Sequence, residues 1–212
     1  MHADREGVLV EPKRLTLTER RAEELRMNIA LTARDLFVAE GDTSATVERI
    51  CEIVGINPRT FHRHFPVKED VLMPLLRRSE RVILQTLEEA SDDADPVDVL
   101  TRVFTTELNR RQVPEYDHHI MTLIVTTPPY WLRFVDWCES LSGAVTRFLA
   151  RYYDLDPDPF LHELPAHLVI QTMRQALARW VREGHPDDFS DIERWDSRGL
   201  RLALSGLPRR TR

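Results

Sequence analysis

The stretch ATVERICEIVGINPRTFHRHFPVKEDVL, residues 45–72, decides how the chain is read. Thr46 offers a side-chain oxygen to the free N–H groups of a helix start. Val47, Ile50, Cys51 and Val54 follow at the spacing of one helical face. Gly55 can take the left-handed conformation that ends such a helix. Asn57 then caps another, with Pro58 at the first position, where a missing N–H costs nothing. Phe61 and Phe65 give this short helix a buried side, and Pro66 ends it. At roughly 100° per residue, Arg59 and Arg63 fall about 40° apart on the side away from the two phenylalanines. Thr60 lies beside them, and His62 and His64 flank the two faces. Helix, glycine turn and short helix with a basic outer face make a helix-turn-helix pattern, in which forked arginines can meet guanine edges in a major groove.

Outward from this stretch the periodicity stays helical. Upstream, from Thr18, the residues Leu25, Ile29, Ala33, Leu36 and Phe37 form one stripe, with Gly41 as its stop. Residues 1–17 lack periodicity and read as a flexible arm. Downstream, a helix from about Lys68 turns Val71, Leu72, Leu75, Leu76, Val82, Ile83 and Leu87 inward, with Pro74 expected to kink it. Acidic residues 91–96 end it, and further helices are expected over about 97–112, 117–127, 130–153, 160–183 and 190–206. The breaks fall at Val113–Pro114, Pro128–Pro129, Asp154–Pro159 and Gly184–Asp188. With 7 glycines in 212 residues and no alternating pattern, the class is all-α. A three-helix helix-turn-helix unit over 18–67 precedes a larger helical domain over 68–212.

A net charge of −6 would by itself argue against a polyanion partner. Its distribution removes that objection. Residues 1–78 carry 13 basic and 13 acidic side chains, whereas 79–212 carry 16 and 22, which is the whole excess. The segment 55–68 has no acid and three cations, Arg59, Arg63 and Lys68. No run approaches the roughly 20 apolar residues of a membrane span, and the amino terminus lacks a signal-peptide core, so a cytoplasmic protein is expected. Cys51 and Cys138 form no spaced pair and sit in apolar helical patterns, as reduced, buried thiols do. His118 and His119 are adjacent and point about 100° apart, with no carboxylate or thiol at ligand spacing, so no metal is expected. No nucleophile triad, paired-acid motif or glycine-rich phosphate loop stands out, so neither catalysis nor a cofactor is expected.

Residues 45–72 and the helix before them resemble the TetR (tetracycline repressor) family of bacterial regulators. Ala33, Leu36–Phe37, Gly41, Thr46, Ile50, Gly55, Thr60–Phe61, His64–Phe65 and Lys68–Glu69 match that family's pattern with its gaps. The resemblance implies that Thr46 brings a helix N-terminus to a phosphate and that Arg59 and Arg63 read bases. It also implies that Thr60, His62, His64 and Lys68 hold the DNA backbone. Three departures stand out. Cys51 replaces an alanine, His62 replaces a phosphate-contacting tyrosine, and Glu48 and Glu52 put acid on the exposed side of the first helix of the motif.

Thirteen of the 16 aromatics lie beyond residue 78, densest in PPYWLRFVDWC, residues 128–138. Trp131, Phe134, Val135 and Cys138 share one face there. Inward stripes of neighbouring helices carry Phe104, Leu108, Ile120, Met121, Ile124 and Met173. The resemblance makes these ten residues the wall of a pocket for a small, mostly apolar inducer. On the penultimate helix Leu168, Thr172, Met173, Ala176, Leu177, Trp180 and Val181 form an apolar stripe, and the last helix carries Ile192, Trp195, Leu200, Leu202 and Leu204. In the family these two helices pair with their copies, which makes Leu168, Thr172, Ala176, Leu177, Trp180, Trp195 and Leu202 the expected dimer interface. The resulting reading is a homodimeric, ligand-responsive repressor of a palindromic operator. A helical enzyme with a helix-turn-helix look-alike, and a ligand-independent DNA-binding or interaction protein, stand as the alternatives at this point.

Overall fold

Thr16 closes a capping box on the first helix. Its Oγ1 accepts from the Glu19 backbone N–H at 3.2 Å, and the Glu19 carboxylate accepts from the Thr16 N–H at 2.7 Å. The computed structural model describes residues 16–108, 114–183 and 189–210, leaving aside the side chains of residues 107, 108 and 114–116. The helices are α1 (Leu17–Glu40), α2 (Val47–Val54), α3 (Pro58–His64), α4 (Met73–Glu89) and α5 (Pro96–Leu108). They continue as α6 (Pro114–Thr126), α7 (Pro128–Ser140), α8 (Ser142–Leu149), α9 (Pro159–Glu183) and α10 (Ser190–Leu204). A 3₁₀ turn, Lys68–Leu72, leads into α4. Among the described residues the only β pairing is an isolated bridge between Tyr153 and Arg209, so the fold is all-α. Residues 1–15 of the expected arm, Val113 at one expected break and all of Gly184–Asp188 at another lie outside the described residues.

The helix punctuation is local chemistry. Thr46 accepts from the Arg49 N–H at 3.2 Å and Asn57 from the Thr60 N–H at 2.8 Å, capping α2 and α3. Gly41 and Gly55 close α1 and α2 at φ +75° and +78°, a region a Cβ would strain. Ile29, Ala33, Phe37, Ile50 and Phe61, all fully buried, make the core of the three-helix head. α1 extends past that core to pack on α4 and α6, so the head is seated on the larger helical body.

Two expectations are corrected here. Pro74 does not kink a helix, because α4 starts at Met73 and the proline occupies its first turn, where its lack of an N–H leaves no intrahelical bond unmade. The helix expected over 130–153 is two: Leu141, at φ −80° and ψ −13°, ends α7 and begins α8, and its N–H turns back to the Cys138 carbonyl at 3.1 Å.

α9 and α10 approach most closely at Gly199. A Cβ there would lie 2.5 Å from the Thr172 γ-methyl. That methyl cannot swing aside cheaply, since Thr172 Oγ1 donates to the Leu168 carbonyl at 2.8 Å and fixes the rotamer. Glycine to alanine inside a helix ordinarily stabilises by about 1 kcal/mol, but overpacking costs about 1–3 kcal/mol. Gly199→Ala is therefore expected to lower the Tm, and adding Thr172→Ser, which removes the methyl and keeps the hydroxyl, to restore it. A Tm raised by the single change would contradict this packing.

Candidate nucleic-acid interface and cavity

α3 is held by its apolar side. Phe61 is fully buried, Phe65 nearly so, and their rings lie 5.2 Å apart. Arg59, His62 and Arg63 are exposed on the outer side, and Thr60 is half-buried beside them. Thr46 is exposed at the N-terminus of α2, where the two acids of that helix are partly answered by an Arg49–Glu52 pair at 2.7 Å. Two residues expected to touch the DNA backbone have surroundings within the fold itself. Lys68 Nζ donates to the carbonyls of Thr43 at 2.8 Å and Ala45 at 3.2 Å, so two of its three N–H groups fix the approach to α2. His64 is half-buried and its Nε2, inside the fold, meets no hydrogen-bond partner. Burial first, then the charges of Arg63 and Arg26, hold its pKa below the ordinary histidine value, so it packs as a neutral ring at the end of α3.

A cavity of about 160 Å³ lies within the helical body, against about 10–15 Å³ needed for one water. Phe104, Ile120, Met121, Phe134, Cys138 and Met173 line it, as the sequence suggested. Ile124, Trp131 and Val135 do not. On α7 the lining face is Phe134, Trp137, Cys138 and then Leu141 just past the helix end, one turn farther along than the expected 131/134/135/138 face. Trp131 stacks on Phe134 at 5.6 Å outside the wall, Val135 is half-buried, and Ile124 is buried elsewhere in the core. The Leu108 side chain lies outside the described residues.

Pattern reasoning missed the polar part of this wall: Ser79, Thr105, Asp117, Arg174 and Asp196. A signal was present. Asp196 follows Ile192 at i+4 and precedes Leu200 at i+4, and Asp117 precedes Ile120, Met121 and Ile124 at i+3, i+4 and i+7, so both acids stand in core register. Asp196 is 2% exposed and its Oδ1 meets no hydrogen-bond partner. Burial alone raises its carboxyl from 3.8 to about 7. The Trp137 indole N–H on the same wall is also buried without an acceptor. The Cys138 thiol is pushed up to about 12, chiefly by burial, which leaves it unreactive. His118 packs edge-on against Trp180 at 4.6 Å, while His119 faces solvent.

α9 uses both of its sides. Ala176, Leu177 and Trp180, expected at a dimer interface, point into their own chain: Trp180 is 0% exposed, against Phe189 and His118. Their stripe continues the cavity-facing Met173 and is covered within the chain itself. Thr172 is half-buried against Gly199. The outward apolar groups are Phe160, Leu161 and Leu168 on α9 and Leu202 on α10, the last 77% exposed, with Trp195 half-buried beneath the Arg179 guanidinium at 4.3 Å.

Head and cavity are joined through α7. Near its N-terminus Tyr130 meets Phe37 of α1 edge-on at 5.7 Å, and Arg133 pairs with Asp70 of the 3₁₀ turn at 2.8 Å. Its C-terminal half lines the cavity, and α4 contributes Leu76, Ser79 and Ile83.

Residues 29–73 match the family model of the bacterial regulatory proteins, tetR family. Over 149 residues the chain is 28% identical to the HTH-type transcriptional regulator TcmR of Streptomyces glaucescens, covering 67% of this chain and 66% of that one, just under two thirds of the relative's length. Among solved structures, the fold is similar to FadR of Thermus thermophilus, a TetR-family transcriptional repressor solved with lauroyl-CoA. That match has a TM-score of 0.59 at 22% identity and covers 88% of this chain and 97% of that one. A TetR transcription regulator from Haloarcula marismortui gives a TM-score of 0.59 at 16% identity, covering 87% and 98%. The likeness at these identities is one of fold, and no helix among the described residues is long and apolar enough to cross a membrane. A short helix with a basic outer face seated on a helical body, together with these matches, makes residues 29–73 similar to the helix-turn-helix region of the bacterial regulatory proteins of the tetR family, and the whole chain similar in fold to regulators of that family.

Proposed function

We propose that this chain is a DNA-binding transcriptional regulator of the TetR family and not an enzyme, a repressor that binds a palindromic operator as a homodimer and is released by a small, mostly apolar inducer. The observation that carries the reading is the outer side of α3, where Arg59 and Arg63 stand exposed on an acid-free segment. Arg59 and Arg63 read base edges, while Thr60, His62 and the N-terminus of α2 at Thr46 meet phosphates. Lys68 acts through its hold on the Thr43 and Ala45 carbonyls, which sets where Thr46 lies. Two chains pair through the outward face of α9 and α10 at Leu161, Leu168, Trp195 and Leu202, which puts two α3 helices about one helical turn of DNA apart. The cavity takes the inducer. A ligand pressing on Phe134 and Trp137 shifts α7, and the Tyr130–Phe37 and Arg133–Asp70 contacts carry that shift to α1 and the start of α4. DNA and inducer then weaken each other's binding by the same factor.

Footprinting on the DNA upstream of its own coding region tests this. The expected protection is an inverted repeat with half-sites about one helical turn apart, lost when inducer is added. A single unrepeated half-site would overturn the dimeric reader, and absence of sequence-selective protection would overturn the repressor reading.

A further inference from the structure

The cavity wall is apolar and aromatic, yet it holds more acid than it needs for packing. Asp196 enters from α10 and Asp117 from α6. Arg174, from α9, is the one basic side chain among the described residues that line it, and its guanidinium is already engaged. It pairs with Glu139 at 3.4 Å and donates to Gln171. Glu139 in turn receives His167 at 3.1 Å. Asp196 is left with a buried oxygen and no donor.

A buried carboxyl without a partner is an expensive feature to keep, and few are found without one. It becomes favourable when a cation or strong donor arrives. Around it stand Phe104, Phe134 and Trp137, whose ring faces attract a cation through their quadrupoles. An anionic ligand meets the opposite situation, two carboxyl groups and an arginine already neutralised.

We propose that the inducer of this regulator is an apolar amine, its ammonium held by Asp196 and its hydrocarbon or aromatic body packed on Phe104, Phe134, Trp137 and Met173. The proposal rests on the reading of the cavity as the sensor site and names the class of ligand that site selects. With its carboxyl raised to about 7 by burial, Asp196 is about half protonated at neutral pH in the empty cavity and gives up its remaining proton to solvent when the ammonium enters. The unpaired Trp137 N–H offers a second handle to any oxygen on the same ligand.

The test compares three probes that share a naphthyl ring and differ in the arm: naphthylethylamine, naphthylethanol and naphthylacetate. Each is titrated calorimetrically into the full-length protein and into Asp196→Asn. The amine is expected to bind wild type roughly tenfold or more tighter than the alcohol, as a charge-assisted hydrogen bond in a dry site implies, with the carboxylate weakest. In Asp196→Asn the amine falls to about the affinity of the alcohol. The wild-type ranking decides the ligand class without the variant. Equal or tighter binding of alcohol or carboxylate overturns the amine proposal and leaves the sensor reading standing. An amine preference that survives in Asp196→Asn removes Asp196 from the role. No binding by any of the three overturns both the ligand class and the cavity as a sensor site.

Discussion

Replacing Arg59 and Arg63 together by alanine is expected to lower operator affinity by about 2–6 kcal/mol per half-site, roughly 30-fold to 10⁴-fold. The lower bound treats each arginine as one modest base contact and the upper bound as two bidentate forks onto guanine. Binding to scrambled DNA should fall far less, because in the proposed complex that affinity rests on phosphate contacts at Thr46, Thr60 and His62. The double variant thus converges on the affinity of the wild type for random sequence. Folding is not at stake. Both side chains are exposed, neither makes an ion pair among the described residues, and the packing of α3 runs through Phe61 and Phe65 on its other side. Fluorescence anisotropy with specific and scrambled duplexes separates the outcomes, with circular dichroism as the control for fold. Equal losses on both duplexes, with a shallower salt dependence, would make the arginines phosphate contacts. Undiminished selective binding would remove α3 as the reading helix.

The head was legible because its chemistry is local. Thr46, Gly55, Asn57 and Pro58 act within four residues of their own positions, and each cap predicted from the sequence forms at the predicted atom. Periodicity likewise separated Phe61 and Phe65 from Arg59 and Arg63, since one short helix has only two sides. The body was harder for the same reason inverted. In α9 a long helix contacts α8 and α10 and also lines the cavity, so an apolar stripe says that something covers it without saying what. Trp180 and Leu177 turned out to be covered by their own chain, whereas Leu168 and Leu202 stay exposed on it. On α7 the run of aromatics was correctly located, but the lining face was set one turn too early, because the turn at Leu141 that ends the helix carries no proline and no left-handed glycine. The hydrogen bonds of Lys68 to the Thr43 and Ala45 carbonyls and the burial of His64 were not legible, because they involve segments that only the folded head brings together.

Asp196→Asn is expected to stabilise the ligand-free protein at high pH and to leave it unchanged at low pH. The carboxyl is raised from 3.8 to about 7 by burial alone, so the folded state binds its proton more tightly than the unfolded state does. Stability from this group is therefore greatest below about pH 4 and falls as pH rises from there to about 7. Above that the full penalty is present in wild type, about 4 kcal/mol as an upper bound and about 2–4 kcal/mol once the cavity relaxes around the charge. Asparagine keeps the shape and the cost of a buried neutral polar group but cannot ionise, so the two chains should match near pH 4 and diverge as pH rises. Asp117 on α6, the Cys138 thiol on α7 and Arg174 on α9 are the other ionisable side chains on this wall, and all are retained in the variant, so the difference between the chains isolates Asp196. In a thermal melt the variant should gain several degrees at pH 8, since each kcal/mol moves a domain of this size by roughly 2–4 °C. A pH-independent difference would mean that Asp196 is solvated or paired in solution. A loss of stability at pH 8 would mean that its carboxylate already has a partner, and the cavity would then hold no open acceptor for a ligand cation.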